Sequence, residues 1–480
     1  MPMVQRHGPP GKAWSAARST LRGLTTGCTR RTSWSKRTTG GGRLMRTLVV
    51  GSGPAGLFLG AALARRGHQV VSADRDAGPR AGTWVRRGVM QFEHAHGFRP
   101  QVPMALQSYW PEALDAWQSL GGSPVEVPNP VGSRQVMGML SRRSTFERAL
   151  RVAAEHERGL SLRTGHVDGP VLVGGRVVGA RVDGTVVDCD LVVDASGRAG
   201  RAMRAPGIGA DLDGDCGLAY VDRTYRLRHG AEPGPMVSPV AYLGDFDGYQ
   251  CLVFLHEAGH FSVVLVRPTA DTALKALRFE AAFDAACRAI PALAEWTDPA
   301  RAQPTSGVLV GGALRNEYRR QRSTTGLVAV GDSVATTTPT RGRGIAMACL
   351  QVTALLALLD EGADAATVAE PFGDWCDREM EPWVADHIAI DGGMVRRWQG
   401  EDLDLGVPLT SDLIAAAADA DPRIGAQAAG YFAMTALPET LRPAEPMARA
   451  VYEGGWRPAY APGPTRDELV EVILAAVRAV

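Results

Sequence analysis

Lysine, paired cysteines and long apolar runs are what this 480-residue chain lacks. Lys12, Lys36 and Lys275 are its only lysines, beside 49 arginines, which leaves few candidates for Schiff-base or lysine-base chemistry. Its seven cysteines are scattered without a C-x-x-C pair, so a disulfide framework, a structural zinc site and a dithiol redox centre are disfavoured. No run reaches about 18 apolar residues, so no stable membrane insertion is expected. We therefore predict a cytoplasmic protein.

The charge is divided unevenly along the chain. Residues 1–44 carry nine Arg or Lys and no Asp or Glu, whereas the remaining 436 residues have a net charge of −8. Because this acidic body has no basic surface, no nucleic-acid partner is expected. Residues 1–44 also lack the apolar core of a signal peptide, and we interpret them as a disordered or spurious extension upstream of Met45. An organelle transit peptide is the alternative.

Strand, turn, helix and strand follow one another over residues 46–74. Apolar runs predict a buried strand at Thr47–Val50, a helix at Pro54–Arg66 and a second strand at Gln69–Ala73. Strands that alternate with helices are typical of a parallel sheet. The further predicted elements are a helix at 145–156, a strand pair at 171–182, a strand at 190–193, antiparallel strands over 217–268, a strand at 326–330, a long helix at 344–359, and a mostly helical tail from 361 whose last helix opens with a capping box of Thr465 and Glu468.

The first turn carries the pattern G-x-G-x-x-G, formed by Gly51, Gly53 and Gly56. The first glycine permits the tight turn, the second lets the backbone approach a pyrophosphate, and the third allows close packing of helix on strand. The helix N-terminus attracts the phosphate charge. Asp74 follows Gly56 by 18 residues, where a carboxylate accepts hydrogen bonds from a ribose. The sequence therefore predicts a dinucleotide site, and this motif alone leaves FAD and NAD both open.

Two further motifs follow the glycine turn. Residues 191–201 (LVVDASGRAGR) end a predicted strand with D-x-x-G and a later Arg, and residues 331–344 begin with G-D-S and end with P-x-x-G-x-G. With the glycine turn, and in this order, they make residues 45–365 resemble the FAD-dependent monooxygenases of the para-hydroxybenzoate hydroxylase fold. Residues 86–96 (RRGVMQFEHAH) are similar to the R-x-G-V-x-Q-x-x-H-A-H sequence of bacterial polyether-type flavin epoxidases.

The resemblance implies a cofactor, a reaction and a set of binding residues. The cofactor is FAD, with NAD(P)H or a separate flavin reductase as the source of electrons. The reaction is epoxidation or hydroxylation, in which a flavin C4a-hydroperoxide transfers one oxygen atom from O2 to an apolar small molecule of the secondary-metabolite type. Oxygen transfer itself requires no protein acid or base, so no catalytic residue is assigned. The candidate cofactor-binding residues are Gly51, Gly53, Pro54, Ala55, Gly56, Asp74, Arg75, Arg86, Arg143, Asp194, Gly197, Gly331, Asp332, Pro339, Gly342, Arg343 and Gly344.

Arg343 is in addition a candidate for tuning the flavin. In the family, this segment approaches the pyrimidine side of the flavin ring, where negative charge gathers on reduction. A guanidinium and a helix N-terminus stabilise an anion there, so we expect Arg343 to raise the reduction potential. The alternative is an arginine that points into solvent or pairs with an acid elsewhere.

We predict an α/β fold with three parts. The boundaries are residues 45–98, 139–213 and 307–365 for a Rossmann-like FAD-binding domain, 99–138 and 214–306 for an inserted antiparallel-sheet substrate domain, and 366–480 for a helical C-terminal region. Residues 99–138 show no clear period. The substrate pocket is expected between this segment and the antiparallel sheet, with a largely apolar lining.

Three other motifs have the signatures of different activities. Residues 256–260 (HEAGH) match the zinc-protease pattern H-E-x-x-H, but they lie between two strand-like runs, which predicts a hairpin turn and not the required helix. Ser333 resembles the nucleophile of a hydrolase, but the chain after it does not enter a helix directly. His94 and His96 have no third ligand nearby, so a structural pair or a wall of the flavin site is preferred. No metal site is predicted.

Other activities of the same fold stay open. A flavin-dependent reductase or dehydrogenase shares the FAD motifs, a non-catalytic protein that retains FAD is a further alternative, and a hydrolase is the weakest. Flavin halogenases are disfavoured, because they carry a W-x-W-x-I-P signature and a lysine beyond the flavin. This chain lacks that signature, and its only lysine after residue 44 is Lys275.

Overall fold

Strands and helices make up most of the described chain. The structure is a computed structural model that describes residues 44–79, 84–86, 88–128, 134–198, 200–204, 209–238, 240–322 and 324–479, so the interpretation of residues 1–44 falls, except for Leu44, outside the described part. In chain order the strands are β1 (Arg46–Val50), β2 (Gln69–Asp74), β3 (Ser123–Pro128), β4 (Arg134–Leu140), β5 (Leu160–Thr164), β6 (Val167–Val173), β7 (Arg176–Val182), β8 (Thr185–Asp188), β9 (Leu191–Asp194), β10 (Leu212–Asp215), β11 (Leu218–Leu227), β12 (Ala241–Phe246), β13 (Tyr249–Leu255), β14 (His260–Pro268), β15 (Ala302–Pro304), β16 (Leu309–Gly311), β17 (Arg315–Tyr318), β18 (Leu327–Ala329) and β19 (Ala335–Thr336). The α-helices are α1 (Pro54–Arg65), α2 (Gln101–Tyr109), α3 (Pro111–Ser119), α4 (Arg143–His156), α5 (Glu280–Ala289), α6 (Pro291–Thr297), α7 (Gly344–Asp360), α8 (Ala369–Glu379), α9 (Glu381–Trp398), α10 (Ser411–Ala416), α11 (Pro422–Phe432), α12 (Glu445–Glu453) and α13 (Arg466–Arg478). Short 3-10 helices lie at Glu257–Gly259, Leu274–Arg278, Gly331–Ser333, Pro339–Arg341, Ala417–Asp419 and Pro438–Ala444. None of the described helices has both the length and the apolar character of a membrane span.

A five-stranded parallel sheet confirms the predicted Rossmann-like fold. Its strand order is β18-β9-β1-β2-β5, and every neighbouring pair is parallel. β1 lies in the centre, where Leu48 and Val49 have no exposed surface. Strands of a parallel sheet are buried on both faces and therefore have continuously apolar sequences. This is why the apolar runs predict β1, β2 and β9 to within one residue at each end.

Residues 99–138 differ from the prediction. They form α2, α3 and the paired strands β3 and β4. α2 packs against α7 and α3 against α4, and Trp110 and Trp117 are completely buried there. The helical period is hidden in the sequence, because the chain turns at Trp110 and restarts at Pro111, which leaves two helices of only nine residues each. These two helices pack in the core around the parallel sheet, whereas the sequence-based boundaries place residues 99–138 in the substrate domain.

The antiparallel sheet predicted over residues 217–268 is confirmed. Its strand order is β12-β13-β14-β11-β15, with β16 also paired to β11. α5, α6 and α13 cover one face, where Phe261 and Leu469 are fully buried. α13 begins with the predicted capping box of Thr465 and Glu468. It packs against α5, so the last helix of the chain lies with the antiparallel sheet rather than with the other C-terminal helices.

Residues 256–260, which match the zinc-protease signature, form the turn between β13 and β14 as predicted. The two histidines have different partners. His256 Nε2 lies 2.9 Å from Ser262 Oγ, and His260 Nδ1 lies 3.1 Å from the backbone oxygen of Glu257. Within the described part of the chain, no group of three or more His, Cys, Asp and Glu side chains is placed to hold a metal ion.

Glu257 has a structural role in this turn. Its carboxylate is 3% exposed and accepts hydrogen bonds from the backbone N–H of Arg142 at 2.7 Å, from Arg142 Nε at 2.7 Å and from Thr145 Oγ1 at 2.5 Å. Because Arg142 is the N-cap residue of α4, the carboxylate binds the N-terminus of that helix. Burial alone raises the pKa of Glu257, but these donors and the Arg142 charge outweigh it and hold that pKa below its usual value.

Replacing Glu257 with alanine should lower the free energy of unfolding at pH 7 by about 2–4 kcal/mol, because Arg142 and Thr145 lose their shared acceptor. The folded-state pKa of Glu257 is depressed. Its contribution is therefore fully present above the unfolded pKa of about 4.3 and is lost as the pH falls through the lower folded pKa. The difference between parent and variant should shrink below about pH 4, as urea unfolding at several pH values will measure.

Glu280→Ala is the matched control, because the Glu280 side chain is 59% exposed and its partner Arg223 keeps a second carboxylate, that of Asp284. This control should change the free energy of unfolding by less than about 1 kcal/mol. A Glu257→Ala protein as stable as the control variant at pH 7 would contradict the capping role.

Candidate cofactor site

A cavity of about 950 Å³ lies at the carboxyl ends of the parallel strands. The residues that directly follow β1, β2, β9 and β18 line it. This edge of an open parallel sheet is where α/β proteins bind their ligands, in pockets of roughly 300–1,000 Å³. All of the predicted cofactor-binding residues except Gly56 and Asp194 line the cavity.

The glycine turn has the geometry that its motif predicts. Gly51 has a φ of +106°, and a Cβ atom there would lie 2.5 Å from the backbone oxygen of Ala195. A Cβ at Gly56 would overlap the backbone oxygen of Gly51, so Gly56 permits the packing of α1 on the turn and does not line the cavity. A Cβ at Gly53 would meet no atom within 4 Å. Gly53 lines the cavity as the N-cap of α1, and such a helix N-terminus is a binding site for phosphate.

Asp74 is held by an ion-pair network around Arg86. Its Oδ2 atom accepts hydrogen bonds from the backbone N–H of Ser52 at 2.7 Å and from Arg86 Nη2 at 3.1 Å. The buried Arg86 guanidinium also binds Asp76 and Glu147, so three carboxylates share one cation. The resemblance implies that Arg86 contacts FAD. In the structure its Nε and both Nη atoms bind carboxylates, and it acts on the cavity by orienting Asp74.

Residues 88–97 form a wall of the cavity that the predicted list misses. Arg143, which was in that list, donates from Nε to Glu147 at 2.6 Å, and its Nη1 lies 3.3 Å from both Gln91 Oε1 and His96 Nε2. Burial, together with the Arg143 charge, holds the pKa of His96 well below its usual value, so its ring is neutral at pH 7. The sequence carries a signal for Gln91 and His96, because both belong to the epoxidase-like motif that begins at Arg86.

His94 has a different role from His96. Its Nδ1 lies 2.6 Å from Asp222 Oδ1, and the backbone N–H of Ala95 donates to Asp222 Oδ2 at 2.7 Å. Asp222 belongs to β11, so this contact ties the wall to the antiparallel sheet. The sequence alone allows two interpretations of these histidines, a structural pair or a wall of the flavin site. His94 is structural, whereas His96 lines the cavity.

Asp194 does not line the cavity and joins two of the motifs instead. Its carboxylate accepts hydrogen bonds from the backbone N–H and the hydroxyl of Ser196 and from Ser333 Oγ at 3.3 Å. The backbone N–H of Gly197 donates to Ser333 Oγ at 3.0 Å. Asp194 therefore shapes the loop through which Gly197 reaches the cavity. Since the hydroxyl of Ser333 binds a carboxylate and the backbone, this geometry is not that of a hydrolase nucleophile activated by histidine.

The third motif contributes an acid, a hydroxyl and a helix N-terminus to the cavity wall. The Asp332 side chain is open to the cavity, and enclosure by the protein raises the pKa of its carboxyl. Thr337 Oγ1 is buried at the wall, where none of the described residues offers it a hydrogen-bond partner. Gly342, with a φ of +60°, and Gly344 line the cavity where α7 begins. A free hydroxyl and a helix N-terminus are groups that a bound cofactor satisfies.

Arg343 pairs with an acid, which was the alternative to flavin tuning. Its side chain is buried, and Nη1 lies 3.1 Å from Asp386 Oδ2. The guanidinium carbon lies 4.4 Å from the ring centre of Trp383 and 4.7 Å from that of Tyr431. A buried guanidinium requires a compensating charge, and Asp386 supplies it. The expectation that Arg343 acts on the flavin as an unbalanced positive charge is therefore corrected.

The residues present fit FAD. Asp74 offers a carboxylate for ribose hydroxyls, and the N-terminus of α1 with Gly53 offers room and N–H groups for a pyrophosphate. Arg75 and Arg198 also line the cavity and add positive charge for the phosphates. Thr337 and the N-terminus of α7 supply polar groups at the third motif.

Comparisons with known proteins agree with this geometry. A family model described as an NAD(P)-binding Rossmann-like domain matches residues 49–109. No curated protein sequence matches the chain. The structure is similar to the flavin-dependent brominase Bmp2, with a TM-score of 0.57 and 17% identity over 86% of this chain and 100% of that one. It is similar to PqsL, a probable FAD-dependent monooxygenase from Pseudomonas aeruginosa, with a TM-score of 0.54 and 18% identity over 75% of this chain and 99% of that one. This is the flavin-dependent monooxygenase fold.

A third structure with the monooxygenase fold is that of a variant of 2-methyl-3-hydroxypyridine-5-carboxylic acid oxygenase. Its TM-score is 0.51, with 16% identity over 76% of this chain and 95% of that one. At such identities the likeness shows the fold alone.

Replacing Gly53 with valine should weaken FAD binding and leave the fold intact. The new side chain would project into the cavity in front of the N-terminus of α1, where the pyrophosphate needs the space, and its Cβ would meet no protein atom within 4 Å. We expect at least a tenfold rise in the FAD Kd, which is about 1.4 kcal/mol or more, with an unchanged Tm of the apoprotein. Fluorescence titration of apoprotein with FAD measures the affinity.

Gly209→Val is the control, because a Cβ at Gly209 also meets no atom within 4 Å and Gly209 does not line the cavity. This variant should bind FAD like the parent. Equal FAD affinity in the parent and the Gly53→Val protein would refute the assignment of the phosphate site.

Proposed function

We propose that the protein is an FAD-dependent monooxygenase that inserts one oxygen atom from O2 into an apolar small molecule. The observation that carries this proposal is the meeting of three motifs, far apart in the sequence, around one cavity at the edge of the parallel sheet. The monooxygenase fold supports it, and so does the fit of the cavity residues to FAD.

The charged end of the cavity is the proposed site of the adenosine and pyrophosphate. Asp74 would accept hydrogen bonds from the ribose, and the N-terminus of α1 beside Gly53 would receive the pyrophosphate. Asp332 and Arg143 would bind further along the cofactor, with the N-terminus of α7 near its ring. FAD, when bound, supplies electron transfer and the reaction with O2, while NAD(P)H or a partner flavin reductase supplies the electrons.

Apolar side chains line the cavity where it meets the antiparallel sheet, which supports an apolar substrate. Phe254 and Leu314 line it and pack with buried residues of the antiparallel sheet such as Leu252. Gly97 lies between the Phe254 ring and the start of α7. A Cβ atom at Gly97 would lie 3.3 Å from the Phe254 ring, and a Cβ atom at Gly342, just before α7, would lie 3.6 Å from the backbone oxygen of Gly97. The antiparallel sheet therefore approaches the N-terminus of α7 across the backbone of Gly97.

The segment that forms the cavity wall is not the one that the sequence predicts. None of the described residues in 99–138 lines the cavity, and the wall is formed by residues 88–97 instead. This wall is the epoxidase-like motif, and on that resemblance we propose epoxidation or hydroxylation of a secondary-metabolite-like molecule. The wall contains Met90 and the neutral His96 and no carboxylate among its cavity-lining residues. Such a lining suits an oxygen transfer that needs no protein acid or base.

A flavin-dependent halogenase is the second candidate, because the likeness to the brominase Bmp2 extends over 86% of this chain. The position of the only lysine after residue 44 argues against a halogenase. Lys275 is exposed on the 3-10 helix Leu274–Arg278 and does not line the cavity. Flavin halogenases carry a lysine beyond the flavin, and Lys275 is not in such a position, so oxygen transfer is the better proposal.

Turnover measurements on the FAD-loaded protein separate these activities. We expect NADH or NADPH, alone or with an added flavin reductase, to reduce the bound flavin without O2, and O2 to reoxidise it. With a polyene or aromatic test substrate, mass spectrometry should show one atom of 18O from labelled O2 in the product, and added bromide should not be incorporated.

Each other outcome identifies a competing activity. A substrate that reoxidises the flavin under nitrogen indicates a reductase or dehydrogenase. A brominated product in the presence of bromide indicates a halogenase. A bound flavin that no electron donor reduces indicates a protein that only retains FAD, and any of these three results would overturn the proposal.

A further inference from the structure

The N-terminus of α7 connects the cavity to the C-terminal helices. Gly342, Arg343 and Gly344 line the cavity at this point. The Arg343 side chain, however, makes its contacts with residues of α9 and α11. The position of the α7 N-terminus therefore depends on residues that lie outside the three cofactor motifs.

One carboxylate oxygen of α9 joins these elements. Asp386 Oδ2 accepts hydrogen bonds from Arg343 Nη1 at 3.1 Å and from the Tyr431 hydroxyl at 2.8 Å. The rings of Trp383 and Tyr431, with centres 5.7 Å apart, both pack against the guanidinium. Asp386 is only 8% exposed, so bulk water and salt screen this ion pair weakly.

Two more cations, the side chains of Arg99 and Arg341, lie near Arg343. Arg99 donates from Nη2 to the backbone oxygen of Arg341 at 2.7 Å and from Nη1 to that of Phe432 at 2.6 Å. Burial, together with the charges of Arg343 and Arg341, lowers the pKa of Arg99 to about 10, so it remains charged at pH 7. Three guanidinium groups are therefore gathered at this corner.

The remaining titratable groups on α9 do not bind Arg343. Burial and the three nearby arginines hold the pKa of His387 well below its usual value, so its ring is neutral. Asp391, whose pKa burial raises to about 6, accepts a hydrogen bond from Asn316 at 2.7 Å. Among the described residues, Asp386 is the carboxylate that forms an ion pair with Arg343.

We propose that Asp386 is a positioning residue of the FAD site, which acts through Arg343 to hold the N-terminus of α7 and to set the net charge there. This inference deepens the proposed function and rests on it. With the carboxylate in place, the Arg343 charge is balanced, so a cofactor ring near α7 does not meet it as a free positive charge. Without it, an unbalanced guanidinium adds to the helix N-terminus and favours the anionic reduced cofactor. A residue that does not itself line the cavity would thus adjust the reduction potential.

The sign of the change in the midpoint reduction potential tests this proposal in three variants, Asp386→Asn, Arg343→Met and the double variant. Asp386→Asn keeps the shape and an oxygen acceptor but removes one negative charge. The ratio of the affinities for reduced and oxidised FAD should rise about three- to tenfold, which corresponds to a midpoint about 15–30 mV higher at roughly 30 mV per tenfold change. Arg343→Met leaves the carboxylate unbalanced and should lower the midpoint by a similar amount. The double variant should return close to the parent midpoint, as spectroelectrochemical titration at one pH and salt concentration will measure.

Two controls separate charge from structural damage. Glu401→Gln removes a negative charge from a side chain that is 59% exposed in the same C-terminal region, and it should leave the midpoint unchanged. Arg343→Lys keeps the positive charge and tests the pair if Asp386→Asn does not fold. It should hold the midpoint near that of the parent, even if FAD binds more weakly.

A purely structural contact gives a different pattern. Single variants that move the midpoint in the same direction, or not at all, with no recovery in the double variant, would overturn the inference. Failure of the parent protein to bind FAD would overturn the proposed function instead, so the two failures are distinguishable.

Discussion

A buried arginine that is balanced by three carboxylates holds the cofactor end of the cavity together. Arg86 is 6% exposed and binds Asp74 at the end of β2, Asp76 in the next loop and Glu147 on α4. Removing the arginine would leave the carboxylates uncompensated, and breaking a buried ion pair in this way costs about 3–5 kcal/mol. Because Asp74 also binds the backbone N–H of Ser52, this network fixes the Asp74 carboxylate relative to the glycine turn. The proposed dinucleotide site would therefore depend on this ion-pair network as much as on its glycines.

The same arginine lies two residues before the cavity wall, and a second buried contact lies near the end of that wall. Near the end of the wall, His94 and the backbone of Ala95 both bind Asp222 of β11. The wall is thus attached to the network around the parallel sheet at one end and to the antiparallel sheet at the other. This double attachment explains how a segment with little regular secondary structure lines both the charged and the apolar part of the cavity.

Patterns confined to a few neighbouring residues were predictable from the sequence. The apolar runs of β1 and β2, the glycine turn, the hairpin at 256–260 and the capping box before α13 all have local causes. Pairs between distant residues have no such signal. Arg343 and Asp386 are 43 residues apart in the sequence, and His94 and Asp222 are 128 apart. Only the fold shows which acid balances which base, so the pairing of Arg343 with Asp386 of α9 could not be predicted from the motif positions.

The scarcity of lysine also fits the way in which this protein buries positive charge. The Arg86 guanidinium binds three carboxylates at once, and the Arg343 guanidinium packs between two aromatic rings while it binds an acid. A planar, delocalised guanidinium suits both arrangements, whereas an ammonium group is a compact and strongly hydrated charge. Burial also lowers the pKa of a lysine readily, while arginine stays charged. The buried cations around the cavity therefore keep their charge at every physiological pH. The acids of this region can respond to pH instead, because burial raises the pKa of Asp332 in the cavity and raises that of Asp391 on α9 to about 6.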